Sequence, residues 1–445
     1  MARWEDAWWE STLGSGVRRK DQRSGAYRSY VPDLLGERAV SVDAQLSRRI
    51  AEAEAAVRRI DGAGGELLAS ISRFLLRSEA IASSRIEGVA PSAKQVALAE
   101  LGQTEQVRGI SEQAQLVANN LTVVRDATTK LVDEAAVTVA DIEELHRALL
   151  PDQPQLHGIR RVQNWIGGSD YHPIDADFVP PEPGRVGGLM TDLVGCINGA
   201  AHSPLVQAAL VHAQFETIHP FTDGNGRVGR ALVHTVLARR RLTPVAVLPI
   251  SLVFSTLRRE YVEGLTAYRY DGPPEAPPGM AAVRQWVTTF VEAAIAAAEQ
   301  SHRIMDELQE LRAGWADQVA EHRRAKGQRI TPRSDSGTAK LLDLLPAAPV
   351  LTSNSVQRIV GLSPKAALDA LAELQAAGIL SRRSIGGGAH AYLADELLDL
   401  LTVAERRLAS TKFDTRVSPP VRPVPALPVR PGEVAHATES PSAPQ

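Results

Sequence analysis

The sequence predicts a mainly α-helical protein with a small β hairpin set into it and a smaller helical module behind it. Three observations carry this. Apolar residues recur at three- and four-residue spacing through much of the first 311 residues. Strand-favouring pieces are short and gather around glycines. Past residue 335 the pattern changes to short, well-capped helices followed by two strand-like runs.

Taken in order, residues 42–59 and 65–86 read as helices. The second holds Phe74, Leu75, Ala80 and Ile81 and meets Gly88, which is well placed to stop it. Thr138 is a good N-cap for a helix over 139–150. Residues 158–181 hold short β-favouring pieces around Gly167-Gly168, an irregular hairpin with Trp165 expected to be buried. Helices over 204–218 and 227–241 flank a glycine-rich loop. The uncharged run 242–257 is broken by Pro244 and Pro249, so it predicts a buried helix-and-turn piece and not a membrane span. Helices over 255–269 and 281–311 follow. The last is alanine-rich and exposed in pattern, so it is expected to link domains.

The module after residue 335 predicts helices at 339–345, 355–360 and 364–377. Thr352 and Ser363 cap the last two, and Pro364 takes the favoured first position. Strands are expected at 379–383 and 389–393, around Gly386, Gly387 and Gly388. Three helices and a hairpin resemble a winged helix, whose third helix would read DNA. That helix carries only Lys365 against Asp369 and Glu373, and Arg382 with Arg383 is the only basic pair nearby. DNA binding stays open but is not favoured; protein docking or a homodimer contact is preferred. From Val417 the chain is rich in proline without an apolar period, so disorder is expected.

Composition sets bounds. A chain of 445 residues can hold more than one core, and 44% hydrophobic with 23% charged residues is ordinary for a globular protein. A net charge of −3 gives no argument for nucleic acid as the main partner. The one cysteine, Cys196, excludes an internal disulfide and a cysteine-based zinc cluster, and fits a reducing, cytoplasmic setting. Trp4, Trp8 and Trp9 sit among charges, so no signal peptide is expected at the N-terminus.

The chemistry concentrates in His219-Pro220-Phe221-Thr222-Asp223-Gly224-Asn225-Gly226-Arg227-Val228-Gly229-Arg230. The Gly224-Asn225-Gly226 turn can point N–H groups into one concavity. It opens a helix, whose N-terminus favours phosphate. Arg227 and Arg230 are three residues apart, near one helix face, and suit phosphate oxygens. Asp223 is a carboxylate of the kind that holds Mg²⁺ beside phosphates. His219 is a candidate base near neutral pH. Together these types point to phosphoryl or nucleotidyl transfer.

This segment resembles the Fic family motif, HxFx(D/E)GNGRxxR, at every fixed position. The resemblance covers roughly residues 25 to 300. It implies AMP transfer from ATP to a Ser, Thr or Tyr hydroxyl of a protein substrate, with self-modification open. It implies His219 as general base, Asp223 as the Mg²⁺ ligand, Gly224, Asn225 and Gly226 as phosphate cradle, and Arg227 and Arg230 on the outer phosphates. Upstream, Ser83-Ser84-Arg85-Ile86-Glu87-Gly88 resembles the family's inhibitory motif (S/T)xxxE(G/N). That implies Glu87, one turn after Ser83, pairing with Arg230 where the γ-phosphate would lie. Residues 158–181 resemble the flap that registers a target segment. Transfer or removal of another phosphate-containing group, de-AMPylation included, is the alternative chemistry. A nucleotide-sensing DNA-binding regulator is the alternative of a different class. The expected divisions are an N-terminal helical region at 1–110, the Fic core at 111–300, a linker helix at 301–334, the winged-helix-like domain at 335–412 and a tail at 413–445.

Overall fold

The computed structural model describes residues 1–412, apart from 13–17, 38, 39, 41 and 64; the proline-rich tail expected to be disordered lies outside the described residues. The chain opens with an antiparallel ribbon of β1 (Arg3–Trp9) and β2 (Gly25–Val31), paired from Arg3↔Val31 to Trp9↔Gly25. There follow α1 (Ala44–Arg58), α2 (Gly65–Ile86), α3 (Ala93–Gly102), α4 (Glu112–Thr128), α5 (Lys130–Asp133) and α6 (Val139–Leu149). An irregular segment then leads to α7 (Pro183–Asn198), α8 (Pro204–Ile218), α9 (Asn225–Arg239), α10 (Ile250–Thr256), α11 (Arg258–Ala267) and α12 (Pro277–Ala325). The last part holds α13 (Gly337–Leu344), β3 (Val350–Leu351), α14 (Ser353–Val360), α15 (Pro364–Ala376), β4 (Ser381–Gly386), β5 (Ala389–Leu393) and α16 (Asp395–Lys412).

The fold is built around α8. Each residue from Leu205 to Ile218 is buried, because helices lie on all its sides, α1, α7, α9 and α12 among them. Such a helix is buried on every side, so polar side chains such as Gln207, His212 and Gln214 find partners inside the core. Its partner α9 crosses it closely at Gly229, where an added methyl would come within 2.9 Å of Phe215 and Glu216. Burial of Phe215, Phe221 and Phe290 contributes about 1.5–3 kcal/mol each. The loop between α8 and α9 is therefore hung between two fixed helix ends.

Several expectations are corrected. The helix expected at 281–311 is not exposed and is not a free linker. It runs unbroken from Pro277 to Ala325, across the division expected at residue 300. Trp286, Phe290 and Ile304 on it are buried in the main core, and Trp286 donates to the Ala209 carbonyl at 2.7 Å. The helix expected at 255–269 is two helices that meet at Leu257. Residues 158–181 are irregular, as expected, with one bridge, Ile166↔Phe178, joining the two sides. The N-terminal ribbon, α3, α4, α7 and α16 lie where no element was expected.

After α12, a three-stranded antiparallel sheet of order β3-β5-β4 stands beside α13, α14 and α15. Ala367, Ala370, Leu371 and Leu374 of α15 face inward, while Lys365, Leu368, Asp369 and Ala372 face outward. No described helix is long and apolar enough to cross a membrane.

Candidate active site at the junction of α8 and α9

His219 ends α8 in the left-handed region, at φ 50° and ψ 59°. A non-glycine residue rarely holds that conformation, which costs about 1–2 kcal/mol. The cost is met by clamping the carbonyl it turns outward. Arg160 Nε donates to the His219 carbonyl at 2.9 Å, and Asn164 Nδ2 reaches it at 3.4 Å. Arg160 also donates to the carbonyls of Val162, Pro181 and Ile218, so one buried guanidinium ties the flap to the end of α8. The imidazole is held neutral: burial pushes its pKa down to about 4, with help from the charges of Arg160 and Arg269 and against Glu87.

The loop beyond is closed on itself. Asn225 Oδ1 accepts from the Phe221 N–H and Asn225 Nδ2 donates to the Phe221 carbonyl, both at 2.8 Å. The Asn225 side chain is thus used inside the loop, and its backbone, expected as part of the cradle, is left to face a ligand. Gly224 sits at φ +80°, where a methyl would strike Leu149. Asp223 stands exposed; its Oδ1 accepts from the Gly224 N–H at 2.7 Å and its Oδ2 lies 3.5 Å from Arg227 Nη2. Arg227 is buried, and its Nε and Nη1 have no hydrogen-bond partner among the described residues. Unpaired buried donors cost about 1–3 kcal/mol each, which an arriving anion would recover.

The second arginine is held by the end of α2. Arg230 donates from Nε to Ser83 Oγ at 2.9 Å, and from Nη2 to the Ser83 carbonyl at 2.9 Å and Glu87 Oε1 at 2.7 Å. A methyl added at Gly226 would strike that same Glu87 oxygen. The carboxylate therefore rests on the first turn of α9, where a helix end attracts anions. Burial raises the Glu87 pKa, but Arg230, with Arg227 and His219, outweighs it and holds the group below the usual carboxylate range. One turn further along each helix, His234 Nε2 lies 3.0 Å from Glu79 Oε1. Glu79, Ser83 and Glu87 of the α2 arm thus form rungs against Gly226, Arg230 and His234 of α9.

All the residues singled out from the sequence meet within this one site. Three others were missed. His146 of α6 donates from Nε2 to the Asp223 carbonyl at 2.9 Å and stacks on Phe221 with ring centres 4.0 Å apart. Burial pushes its pKa down to about 4, opposed by the Asp223 carbonyl. Its signal was present: it shares the apolar face of Ile142, Leu145 and Leu149, where a histidine needs a buried partner. Arg160 carried no signal beyond lying near the flap. Glu216, one turn before His219, is buried with Oε1 lacking a hydrogen bond among the described residues. Burial pushes its pKa up to about 7, against Arg230 and with Glu87; nothing in an apolar helix marked it.

Comparisons with known proteins agree with the motif. Residues 136–237 match the Fic/DOC family. The protein adenylyltransferase Fic of Drosophila willistoni is 34% identical over 145 residues, covering 32% of this chain and 27% of that protein. The Drosophila melanogaster protein of the same name is 33% identical over the same length, with the same coverage. The chain thus spans about a quarter of the length of these relatives. A Fic family protein from Desulfovibrio desulfuricans G20 aligns over 80% of this chain and 98% of its own, at 20% identity and a TM-score of 0.48. The complete motif on the α8–α9 junction lies within the segment, residues 136–237, that matches the Fic/DOC family.

Proposed function

We propose that the protein transfers AMP from ATP to a hydroxyl side chain of a protein, and that Glu87 holds this activity low. One observation carries the reading: the Glu87 carboxylate occupies the anion position made by Gly226 and Arg230, while the donors of Arg227 beside it stand unpaired. A site that seats a carboxylate there is suited to a phosphate of the same charge and oxygen geometry. With Glu87 withdrawn, the first turn of α9, Arg227 and Arg230 would take the phosphates. His219, neutral near pH 7, would accept the proton of the incoming hydroxyl. The hydroxyl oxygen then bonds to the α-phosphorus, the bond to the β-phosphate oxygen breaks, and pyrophosphate leaves with the electron pair.

The residues fit Mg²⁺. Asp223 is an exposed carboxylate at the rim of the cradle, and no group of three His, Cys, Asp or Glu gathers elsewhere among the described residues. One carboxylate with phosphate oxygens and water is a usual Mg²⁺ set. Bound there, the ion would neutralise phosphate charge during transfer. Asp223 would hold it once the carboxylate gives up its contact with Arg227. The test is labelled ATP incubated with purified protein and lysate. Label should reach protein, more with Glu87→Gly than with wild type, and absence of label from both would refute the reading.

For the part after residue 335 we favour a winged-helix-like module that docks protein. The outward face of α15 pairs Lys365 with Asp369 around Leu368 and Ala372, a poor match to a polyanion.

A further inference from the structure

The inhibitory helix α2 is gripped from behind by the C-terminal part of the chain. Its face bearing Glu79, Ser83 and Glu87 meets α9; the opposite face, with Ser78, Ile81 and Arg85, borders a cavity of about 220 Å³ closed by Leu401 and Thr402 of α16. Ten residues before Glu87, about 15 Å along the helix, buried Arg77 joins three parts. It donates to Glu100 of α3 at 2.8 and 3.0 Å and to the Ala347 carbonyl, after α13, at 2.6 Å.

The chain that follows Glu87 is held by the same module. Lys94 of α3 pairs with Asp395 of α16 at 3.0 Å. Beyond α3, Glu105 accepts from Thr352, the cap of α14, at 2.7 and 2.8 Å, and Arg358 donates to Thr104 at 3.1 Å. The Arg108 N–H donates to the Ile385 carbonyl of β4 at 2.9 Å. Glu87 itself is attached to the active site only at the last turn of α2. Its reach therefore depends on where α2 and α3 are held: α4 and α10 pack against them from the core, and residues beyond 337 add the contacts to Arg77, Lys94, Glu105 and Arg108.

We propose that the C-terminal module is the control element of the Glu87 lock. Docked as seen, it presses α2 into register with α9; drawn away, it frees the end of α2 to retreat and Arg230 to take phosphate. This rests on the reading of Glu87 as inhibitor. It needs no wire of residues through the core, because one rigid helix with two positions suffices.

The test uses the full chain. Asp395→Lys with Glu105→Ala sets two cations face to face and removes the acceptor of Thr352, while leaving α2 and the catalytic loop untouched. Amide exchange over residues 79–88 should quicken by about tenfold, and labelling from ATP should rise by about fivefold or more, the lower end of coupling between sites. Adding Lys94→Glu, which restores an ion pair with reversed charges, should slow the exchange again. In a Glu87→Gly background the same changes should add nothing. Faster exchange at 93–108 with none at 79–88 would overturn the proposal, as would an equal gain in the Glu87→Gly background. If Glu87→Gly proves as inactive as wild type, the catalytic reading fails, and the exchange result still decides the coupling.

Discussion

Between His219 and Arg230, buried side chains hold the backbone at each bend: Arg160 and Asn164 on the His219 carbonyl, Asn225 on both polar groups of Phe221, His146 on the Asp223 carbonyl. The turn that carries Glu87 against this loop is held otherwise. Glu87 follows the last residue of its helix, its side chain is 38% exposed, and it reaches the site through one carboxylate oxygen. The loop geometry is thus built into the core before any ligand arrives, which is what electrostatic preorganisation would require of the proposed reaction. Glu87 sits at an end of an element, from which local motions of low cost are drawn. On the proposed reading, the difference teaches that the two should respond oppositely to mutation: damage to the loop should remove activity, and damage to the Glu87 turn should expose it.

The sharpest break of that comparison is at His219. His219→Ala should lower transfer by about 10²–10⁴-fold and leave ATP binding in place, since the imidazole stands outside the phosphate cradle. Near-normal labelling by this variant would remove it from the reaction. Asp223→Ala comes next and should act like excess chelator on the unaltered protein, because the same ion is lost either way. Full activity under chelation would contradict the metal role.

Asn225→Ala sharpens the claim that the loop is held from within. It leaves the buried N–H and carbonyl of Phe221 unpaired and should cost about 1–3 kcal/mol of stability, seen as a lower melting temperature. An unchanged melting temperature would return Asn225 to the role of ligand alone. The smallest effect is expected at Glu216. Its folded pKa, about 7, lies above the ordinary 4.5. The stability linked to its protonation is full below about 4.5 and is lost as pH rises through about 7. Glu216→Gln, which stays neutral, should gain on wild type in melting temperature between about pH 5 and about pH 8. A constant gap across that range would mean Glu216 does not titrate there.

Much of this was legible in sequence where local signals agree with the fold. Residues 65–86, 204–218 and 364–377 carry period, cap and stop signals, and their helices formed within a residue or two of expectation. Where packing overrides propensity, sequence was silent. Helix α7 holds Gly184, Gly187, Gly188 and Gly195, each unfavourable in a helix, and its face of Val186, Leu189, Met190 and Leu193 is what keeps it folded. Helix α4 buries Asn119 and Asn120, whose amides reach the Leu149 and Ala80 carbonyls; two asparagines read as a break when their partners are unknown. The site was legible in its motif because glycines and charges sit side by side. Its supports were not, because His146 and Arg160 come from other parts of the chain and meet the loop only in three dimensions.

The central claim is that Glu87 and a phosphate compete for Arg230, and one paired comparison tests it. Wild type, Glu87→Gly and Arg230→Ala are incubated side by side with labelled ATP, and label on the protein itself and on lysate proteins is measured. The account predicts strong labelling by Glu87→Gly alone: it frees the arginine, whereas Arg230→Ala breaks the lock and loses the phosphate ligand together. Equal labelling by wild type and Glu87→Gly would contradict self-inhibition, and a highly active Arg230→Ala would contradict the ligand role of the arginine.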